Sequence, residues 1–575
     1  MGVTPSLKSV SVAPLRSRRG CKTCKIRKVK CGEEKPYCLR CTSTGRKCEY
    51  VGTIYGTYSS APAISSVILA VDNPLSSRQN TVWRERRAFA YYFQHAAPLV
   101  GGLDADFWSN IVPQVCRSEP AVWDAIISIS ALFECHDKSP PNQNYRDALG
   151  WYSRAVSAVR RRLERGGMDV FVGLISCVLF ICIEALQGGI EESLRLYRQG
   201  VHLILALREQ IACGTLPKND VYLLEDTLVP IFIRLGTIAN SGGISIGKLL
   251  REPGQTVVQG FSSLKSARES IILLTAEVQL FQADCEEHHE SSFAAKAPEE
   301  LLNKQACLSA SLSRWRAAFT NLMEHLRTNN TLSREQTSTG ALLFSHYETL
   351  YVLVGICTSP IKCTTDRYLS NFQEIVEQSR IALLASARSD GTQPPFTFDI
   401  GVAFPLLVVS LRCSDSRTRR AAIALMSKAP QVQGFYGKPF AIAFSQRIMD
   451  VEESLALAMK AGPMTPVSME SDVQCRSLSP QNYGNGAICT MHTPNSPPDV
   501  RLMLTGVDIP EEARIKPYGI FRPRDGIPPQ TPVEQVVKWN VSPDQTLLQF
   551  SRTIGSPEDR TWQVVHECVP IDIPL

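Results

Sequence analysis

No strongly apolar, uncharged run in the sequence reaches the usual length of a membrane-spanning helix. Its most apolar run is Val170 to Ile183, fourteen residues without a charge, bounded by Asp169 and Glu184. Because a membrane-spanning helix needs about 20 apolar residues, this run predicts a buried helix, and no membrane partner is expected. The first twenty residues also lack the apolar core of a secretory signal peptide, which argues against a secreted, disulfide-linked framework.

Signatures of the common enzyme classes are also absent. The sequence contains no zinc-protease helix or dinucleotide-binding fingerprint. Gly242 to Leu249 nearly spells a phosphate-binding loop, but leucine stands where a serine or threonine would hold magnesium. Asp284 to Glu290 carries metal-capable side chains whose spacing distributes them all around a helix end, which predicts a solvated surface. We therefore expect no enzymatic activity.

Cysteine is abundant in one place. Six of the nineteen cysteines form a unit used twice, the second copy following the first by seventeen residues. These are Cys21, Cys24, Cys31, Cys38, Cys41 and Cys48. The other thirteen cysteines are scattered through apolar segments, so they are predicted to be reduced core residues of a nuclear or cytosolic protein.

The number of thiols limits how this repeat can bind metal. Two tetrahedral zinc ions need eight ligand positions, so six sulfurs suffice only if two of them bridge both ions. The equivalent residues Cys21 and Cys38 are the natural bridging pair. One ion would then bind Cys21, Cys24, Cys31 and Cys38, and the other would bind Cys21, Cys38, Cys41 and Cys48. The expected cofactor is two Zn²⁺ per chain.

The stretch from Cys21 to Tyr50 resembles the binuclear zinc cluster of fungal transcription factors. The likeness includes all six cysteines, the basic run after Cys24, and Pro36 between the two halves. It implies two short helices around two zinc ions, with the first helix entering the DNA major groove to read a G·C-rich triplet, usually CGG. An alternative is a zinc module that binds protein or RNA instead.

The same resemblance assigns roles to the basic residues. Lys28 and Arg27 occupy the positions that contact base edges, and Lys28 is the favoured guanine contact. Four lysines would bind DNA phosphates and set the register of the module without reading sequence. These are Lys22, Lys25, Lys30 and Lys47.

Charge is concentrated at the amino terminus. The whole chain has a net charge of +6, but residues 1–50 carry +10 and the remainder carries −4. This distribution favours double-stranded DNA as the partner of the amino-terminal end. The basic run from Arg16 to Lys30 could also direct nuclear import, and the predicted location is the nucleus. A second basic run, Arg160 to Arg165, is interpreted as a solvated helix face.

Composition divides the chain into six segments. We predict a basic arm at 1–20, a zinc cluster domain at 21–50, a linker at 51–80 and an all-α regulatory domain at 81–462. A disordered segment rich in proline, serine and threonine follows at 463–500, and 501–575 forms a C-terminal segment whose packing on the helical body is left open. No sustained heptad pattern follows the cluster, so a homodimer is left open.

Helical periodicity dominates from residue 81 onward and resembles the regulatory middle region of the same fungal family. Asp104 or Asp106 is predicted to cap a helix that carries Phe107 and Trp108. Further helices are predicted at Ala121–Cys135, Tyr145–Leu163, Met168–Leu186, Ile190–Leu207, Val221–Ala239, Glu269–Ala283, Leu301–Leu326, Arg334–Ile356, Leu369–Ala387, Ala403–Leu411 and Phe444–Ala461. Short strands are predicted at Val536–Val541 and Trp562–Val569.

Together these features predict a small, metal-dominated zinc cluster domain joined to a large all-α body. The function predicted is sequence-specific DNA binding that regulates RNA polymerase II transcription, with the body meeting the transcription machinery. Two alternatives stay open at this point: an interaction or scaffold protein with a vestigial zinc module, and an enzyme hidden in the helical body.

Overall fold

A computed structural model describes most of the chain in two compact units, residues 1–77 and residues 78–575. We call the second unit the body. The residues described are 21–33, 38–44, 48, 83–135, 143–167, 169–239, 244–250, 260–291, 297–329, 332–359, 362–460, 509–554 and 563–573. The predictions for the arm at 1–20, the linker at 51–80 and the segment at 463–500 lie outside these residues, as do those for Pro36 and Lys47.

The first unit contains two short helices, as predicted. These are α1 (Lys22–Ile26) and α2 (Leu39–Thr42). Each follows the first cysteine of one repeat, and Cys21 caps α1 by accepting a hydrogen bond from the backbone N–H of Cys24 at 3.3 Å. The cysteine side chains are the interior of this unit.

The body is mainly helical. Its helices are α3 (Trp83–Tyr91), α4 (Ala97–Gly101), α5 (Val112–Val115), α6 (Pro120–Glu134), α7 (Gln143–Glu164), α8 (Val170–Gln187), α9 (Ile190–Ala212), α10 (Lys218–Tyr222), α11 (Val229–Ala239), α12 (Ile244–Gly247), α13 (Leu264–Ser291), α14 (Glu299–Asn329), α15 (Arg334–Ile356), α16 (Leu369–Ser386), α17 (Ala403–Arg412), α18 (Ser416–Lys428), α19 (Lys438–Lys460) and α20 (Val533–Lys538). Each predicted helix is present, but two of them contain π-helical segments. Phe107 and Trp108 lie in one at Asp106–Ile111, and the predicted helix Val221–Ala239 consists of the end of α10, a π-helical segment at Leu223–Leu228 and α11. Among the others, the largest differences are at α13, which is longer at both ends, and at α19, which begins at Lys438 rather than Phe444.

Two three-stranded sheets complete the body. The smaller consists of β1 (Phe396–Thr397), β2 (Val432–Gln433) and β3 (Tyr436–Gly437), with β1 and β2 parallel. The larger, which we call the C-terminal sheet, consists of β4 (Ile515–Phe521), β5 (Leu547–Ile554) and β6 (Gln563–Pro570), all antiparallel. Strand β6 confirms the prediction at Trp562–Val569.

The predicted strand at Val536–Val541 is wrong, because this segment begins as helix α20. Val536 faces the sheet, where it packs with Leu547 and Cys568, whereas Val533 and Val537 are exposed. The strand preference of valine is therefore overridden by tertiary packing of one face of a short helix.

Helix α8 lies at the centre of the core. It is long and apolar enough to cross a membrane by length and composition, but two thirds of it is buried inside the body. Side chains along α9 that recur at helical spacing, among them Tyr197, Val201 and Ile204, pack against the same core. The prediction that these apolar faces form a buried interior is confirmed.

A buried cluster of four charged side chains joins distant parts of the body. Arg268 on α13 binds Asp104 and Asp399, each at 2.6 Å, and Arg234 on α11 also binds Asp104. All four side chains are at least 88% buried. The predicted helix cap at Asp104 is wrong, because its carboxylate binds these arginines instead of the backbone of the next helix.

The C-terminal sheet packs on the end of the helical body. Leu548 and Phe550 of β5 meet Ile448 of α19 in a small apolar cluster. Beside it, Glu452 of α19 accepts a hydrogen bond from the backbone N–H of Ile515 at 3.0 Å and binds Arg419 at 2.6 Å. Apolar burial and a buried ion pair thus hold the sheet against α18 and α19.

The segment Asp284 to Glu290, predicted to be solvated, is only partly so. It forms the end of α13, where Cys285 is buried and His289 Nε2 lies 2.9 Å from the carbonyl oxygen of Cys357. Residues Arg160 to Arg165 are largely exposed, as predicted, apart from an ion pair between Arg162 and Glu119.

Helices α9 and α11 approach closely at Gly200. A Cβ atom at this position would lie 2.2 Å from Cε1 of Phe232. We expect Gly200→Ala to destabilise the body by about 1–3 kcal/mol, because the extra methyl group overpacks a rigid core.

Gly150 on α7 is a matched control, because a Cβ there would meet no atom within 4 Å. Gly150→Ala should raise stability by up to about 1 kcal/mol through better helix propensity. Thermal unfolding of the two full-length variants tests this pair, and a higher midpoint for Gly200→Ala would contradict the close approach.

Candidate metal centre and nucleic-acid interface

The fold of the first unit brings all six cysteines of the repeat together. Two overlapping groups of four have their sulfur atoms within 4.8 Å of one another. The groups are Cys21, Cys24, Cys31, Cys38 and Cys21, Cys38, Cys41, Cys48. Cys21 and Cys38 belong to both groups, which is the arrangement expected if they bridge two ions.

The sulfur spacings fit tetrahedral zinc. With zinc–sulfur bonds of about 2.3 Å, neighbouring sulfurs of a tetrahedron are about 3.8 Å apart. The Sγ atom of Cys21 lies 3.7 Å from that of Cys38, and Cys24 and Cys38 are also 3.7 Å apart. No disulfide joins any of the six, so all of them keep a sulfur available to a metal.

Backbone N–H groups donate to the sulfurs in a pattern that follows the repeat. The N–H of Cys21 donates to Cys31 Sγ at 3.3 Å, and the N–H of Cys38 donates to Cys48 Sγ at 3.3 Å. Such bonds favour the thiolate, which is the form that binds metal.

The two shared cysteines have lowered pKa values. Burial alone would raise the pKa of Cys21, but the N–H of Cys24 and the neighbouring thiols lower it. The pKa of Cys38 is lowered to about 6 against the same effect of burial, by the Cys41 backbone and nearby thiols. Among the repeat cysteines with a shifted pKa, the two that belong to both groups therefore ionise most readily.

Lys28 has an unusual backbone. Its φ of +56° lies in the left-handed region, which costs a residue with a side chain about 1–2 kcal/mol. The residue follows Arg27, which caps the C-terminal end of α1, and its side chain is exposed. An exposed lysine is therefore held in a strained turn two residues after the first helix.

Arg27, the other predicted base contact, is turned toward the second repeat. Its Nη1 donates to Oγ1 of Thr44 at 3.4 Å. Thr44 occupies the position equivalent to Arg27 in the second half, seventeen residues later. Sequence reasoning did not identify Thr44, although the repeat itself pairs these two positions.

The structure describes some of the lysines that are predicted to contact phosphates, but not all of them. Lys25 and Lys30 are both exposed. The backbone of Lys22 lies in α1, but its side chain is outside the described part of the chain, as is all of Lys47. Two apolar side chains, Ile26 and Leu39, are also largely exposed on this small unit, and no sequence pattern had singled them out.

Two family models match the chain. One is described as the fungal Zn(2)-Cys(6) binuclear cluster domain and matches residues 19–53. The other is described as the fungal specific transcription factor domain and matches residues 87–430, which is more than half of the chain. No solved structure matches.

Curated relatives are also transcription regulators by name. The chain is 25% identical to the aspercryptin biosynthesis cluster-specific transcription regulator atnN of Emericella nidulans over 54% of this chain and 55% of that protein. It is 28% identical to the Zn(2)-C6 fungal-type transcription factor afumD of Aspergillus fumigatus over 41% of this chain and 66% of that protein. The transcriptional regulatory protein moc3 of Schizosaccharomyces pombe is 56% identical over 34 residues, 6% of this chain and 7% of moc3.

The alignment with atnN thus spans about half the length of that relative. The matched cluster model covers all six cysteines, and the second model covers α4 to α18 together with the end of α3. The chain therefore belongs to the family of fungal transcription factors that carry a Zn(2)-Cys(6) cluster and a fungal specific transcription factor domain.

Proposed function

We propose that this protein is a nuclear transcription factor that reads CGG-like DNA triplets through the first unit and regulates RNA polymerase II transcription. The body would receive a regulatory signal and contact the transcription machinery. The observation that carries this proposal is the pair of four-cysteine groups sharing Cys21 and Cys38 beneath an exposed basic helix.

Two zinc ions would be held by the six cysteines, with Cys21 and Cys38 in contact with both. The ions would supply folding energy to a unit in which the described interior consists of cysteine side chains. Sulfur spacings of 3.7 Å and the N–H donors to Cys31 and Cys48 support this ligand set.

Lys28 would contact guanine, because strained backbone at an exposed position commonly marks a functional residue. A lysine can donate to the O6 and N7 atoms of guanine in the major groove. Arg27 would reach the adjacent base edge while its contact with Thr44 braces the two halves against each other. Lys22, Lys25, Lys30 and Lys47 would grip phosphates.

Selection from a randomised DNA pool with the full-length protein tests this function. We expect enriched sequences to share a CGG-like triplet, and enrichment to disappear after zinc chelation. A pool that remains random at low salt would contradict the proposal and favour the scaffold alternative, in which the cluster is vestigial. The same selection also reports half-site spacing, and hence whether a homodimer binds.

Replacing the two exposed lysines separately should distinguish their roles. Lys28→Ala is expected to lower discrimination against a mutated triplet by about 1–3 kcal/mol, because a base contact is lost. Lys30→Ala should weaken binding to all sequences alike and reduce the salt dependence by about one ion. Both are measured by fluorescence anisotropy with matched and mutated duplexes, and equal loss of discrimination in the two variants would contradict the assignment.

A further inference from the structure

A cavity of about 410 Å³ lies between the C-terminal sheet and the ends of several helices of the body. Much of its lining comes from residues after 430, beyond the matched regulatory domain. A cavity of this size can enclose a small metabolite, since ligand sites in proteins are typically about 300–1,000 Å³.

One wall is a row of side chains across the sheet. Lys516 of β4 pairs with Ser551 of β5, and Ser551 pairs with His566 of β6. All three line the cavity, and Tyr518 bridges them, with its ring 5.3 Å from Lys516 Nζ and its hydroxyl accepting a hydrogen bond from Ser551. The sheet thus presents an ordered set of hydrogen-bond donors, including a lysine.

The opposite wall contains Arg412 at the end of α17. Its side chain is half-buried, and within the described residues its guanidinium has no hydrogen-bond or ion-pair partner. A positively charged group without a protein partner at the wall of a cavity favours a negatively charged acceptor from outside the chain.

The acceptor groups at the helix ends do not bind the Arg412 guanidinium, because each already has another donor. The carbonyl oxygen of Arg412 itself accepts from Arg514 at 3.2 Å, and the carbonyl of Cys357 is engaged by His289. The carboxylate of Glu452 is occupied by Arg419 and by the N–H of Ile515. These groups would otherwise repel an anion, and each is already neutralised by a donor.

The charges that line the cavity favour a negative ligand. Arg412 and Lys516 line it from two sides, and Arg514 adds positive charge although it pairs with Asp366, whereas Glu286 is exposed and is the acidic lining residue without a basic partner among the described residues. An anion between the walls would contact cations on both the helical body and the sheet.

We propose that this cavity binds a small anionic metabolite carrying a phosphate or carboxylate group, held by Arg412 on one side and by Lys516 and His566 on the other. Because the ligand would touch both walls, binding would tighten the docking of the C-terminal sheet. This inference goes beyond DNA recognition and does not depend on the zinc ligand set.

Isothermal titration of the full-length protein with glycerol 3-phosphate, succinate and uncharged glycerol tests the proposal. We expect at least one anion to bind and glycerol not to bind. Glycerol 3-phosphate against succinate distinguishes a phosphate from a carboxylate ligand. Arg412→Gln should weaken the anion affinity by about tenfold or more, because a charge-assisted contact is lost.

Arg417→Gln is the matched control, because it removes the same charge from an exposed arginine on the neighbouring helix that does not line the cavity. It should leave anion affinity unchanged, which separates the cavity from attraction to the basic first unit. Lys516→Gln provides a second test from the opposite wall. Equal affinity of Arg412→Gln and Arg417→Gln for the anion that binds, or binding of neither anion, would overturn the proposal.

Hydrogen exchange tests the site without measuring a heat of binding. The bound anion should slow amide exchange in β4 and β6 of the parent protein, and this protection should be lost in Arg412→Gln. Unchanged exchange in both strands at a saturating anion concentration would contradict a site between sheet and body.

Discussion

Cys38→Ser is expected to remove both zinc ions and all sequence-specific DNA binding from the full-length protein. Cys38 belongs to both four-cysteine groups, so its loss leaves each ion with three sulfurs. Structural zinc contributes about 10–16 kcal/mol to the folding of small zinc modules, and among the described residues of this unit the six cysteines form the interior. Elemental analysis should give two equivalents of zinc for the parent protein and less than one for the variant.

Two other cysteines serve as controls for that result. Cys48 belongs to one group only, so Cys48→Ser should lose chiefly one ion. Cys213 is an exposed thiol in the body, and Cys213→Ser should keep both ions and normal DNA affinity. If Cys38→Ser and Cys48→Ser lose the same amount of zinc, the bridging role of Cys38 is wrong.

Arg268→Met should destabilise the body by about 3–5 kcal/mol. Arg268 is 1% exposed and binds two carboxylates, and removing one partner from a buried ion cluster leaves uncompensated charge. Lys304→Met is the matched control, since Lys304 pairs with Asp284 on the surface, where an ion pair contributes about 0–1 kcal/mol. Chemical denaturation of both variants measures the difference, and equal losses would contradict the buried cluster as a source of stability.

The same cluster predicts a pH dependence. Burial alone would raise the pKa of Asp104, but Arg234 and Arg268 lower it below its usual value. A lowered folded pKa stabilises the protein above the ordinary range of aspartate, and this contribution is lost as pH falls through the folded pKa. Arg268→Met should therefore flatten the decline in stability on the acid side, which denaturation between about pH 2 and pH 5 would reveal.

Local patterns in the sequence predicted the cysteine groups and the long helices of this protein. The seventeen-residue repeat gave the two cysteine groups because ligand spacing is a local property. Apolar residues at helical spacing gave the positions of the long helices for the same reason. Arg334–Ile356, for instance, was predicted with both of its ends, and Ser333 with Gln336 forms a capping box at its start.

Features that depend on distant contacts were missed. Asp104 looked like a helix cap, but its partner Arg268 lies 164 residues away in the chain. Strand β4 was not predicted, because Pro517 and Gly519 interrupt its strand pattern, and the register with β5 shifts between them. The cavity beside Arg412 forms only because a sheet that begins about a hundred residues later packs on the body. Helical periodicity in the sequence does not reveal such a contact.

The hydrogen bond from Arg27 to Thr44 joins equivalent positions of a duplicated scaffold whose two copies carry different surfaces. Between its second and third cysteines the first copy carries four basic residues, whereas the second copy carries two. The framework is nearly symmetric but its charge is not, so the proposed base contacts of the first copy would give the module a front and a back. A single bound chain would then have a fixed polarity along the duplex, and inverting a triplet should reverse the order in which the two copies follow the DNA.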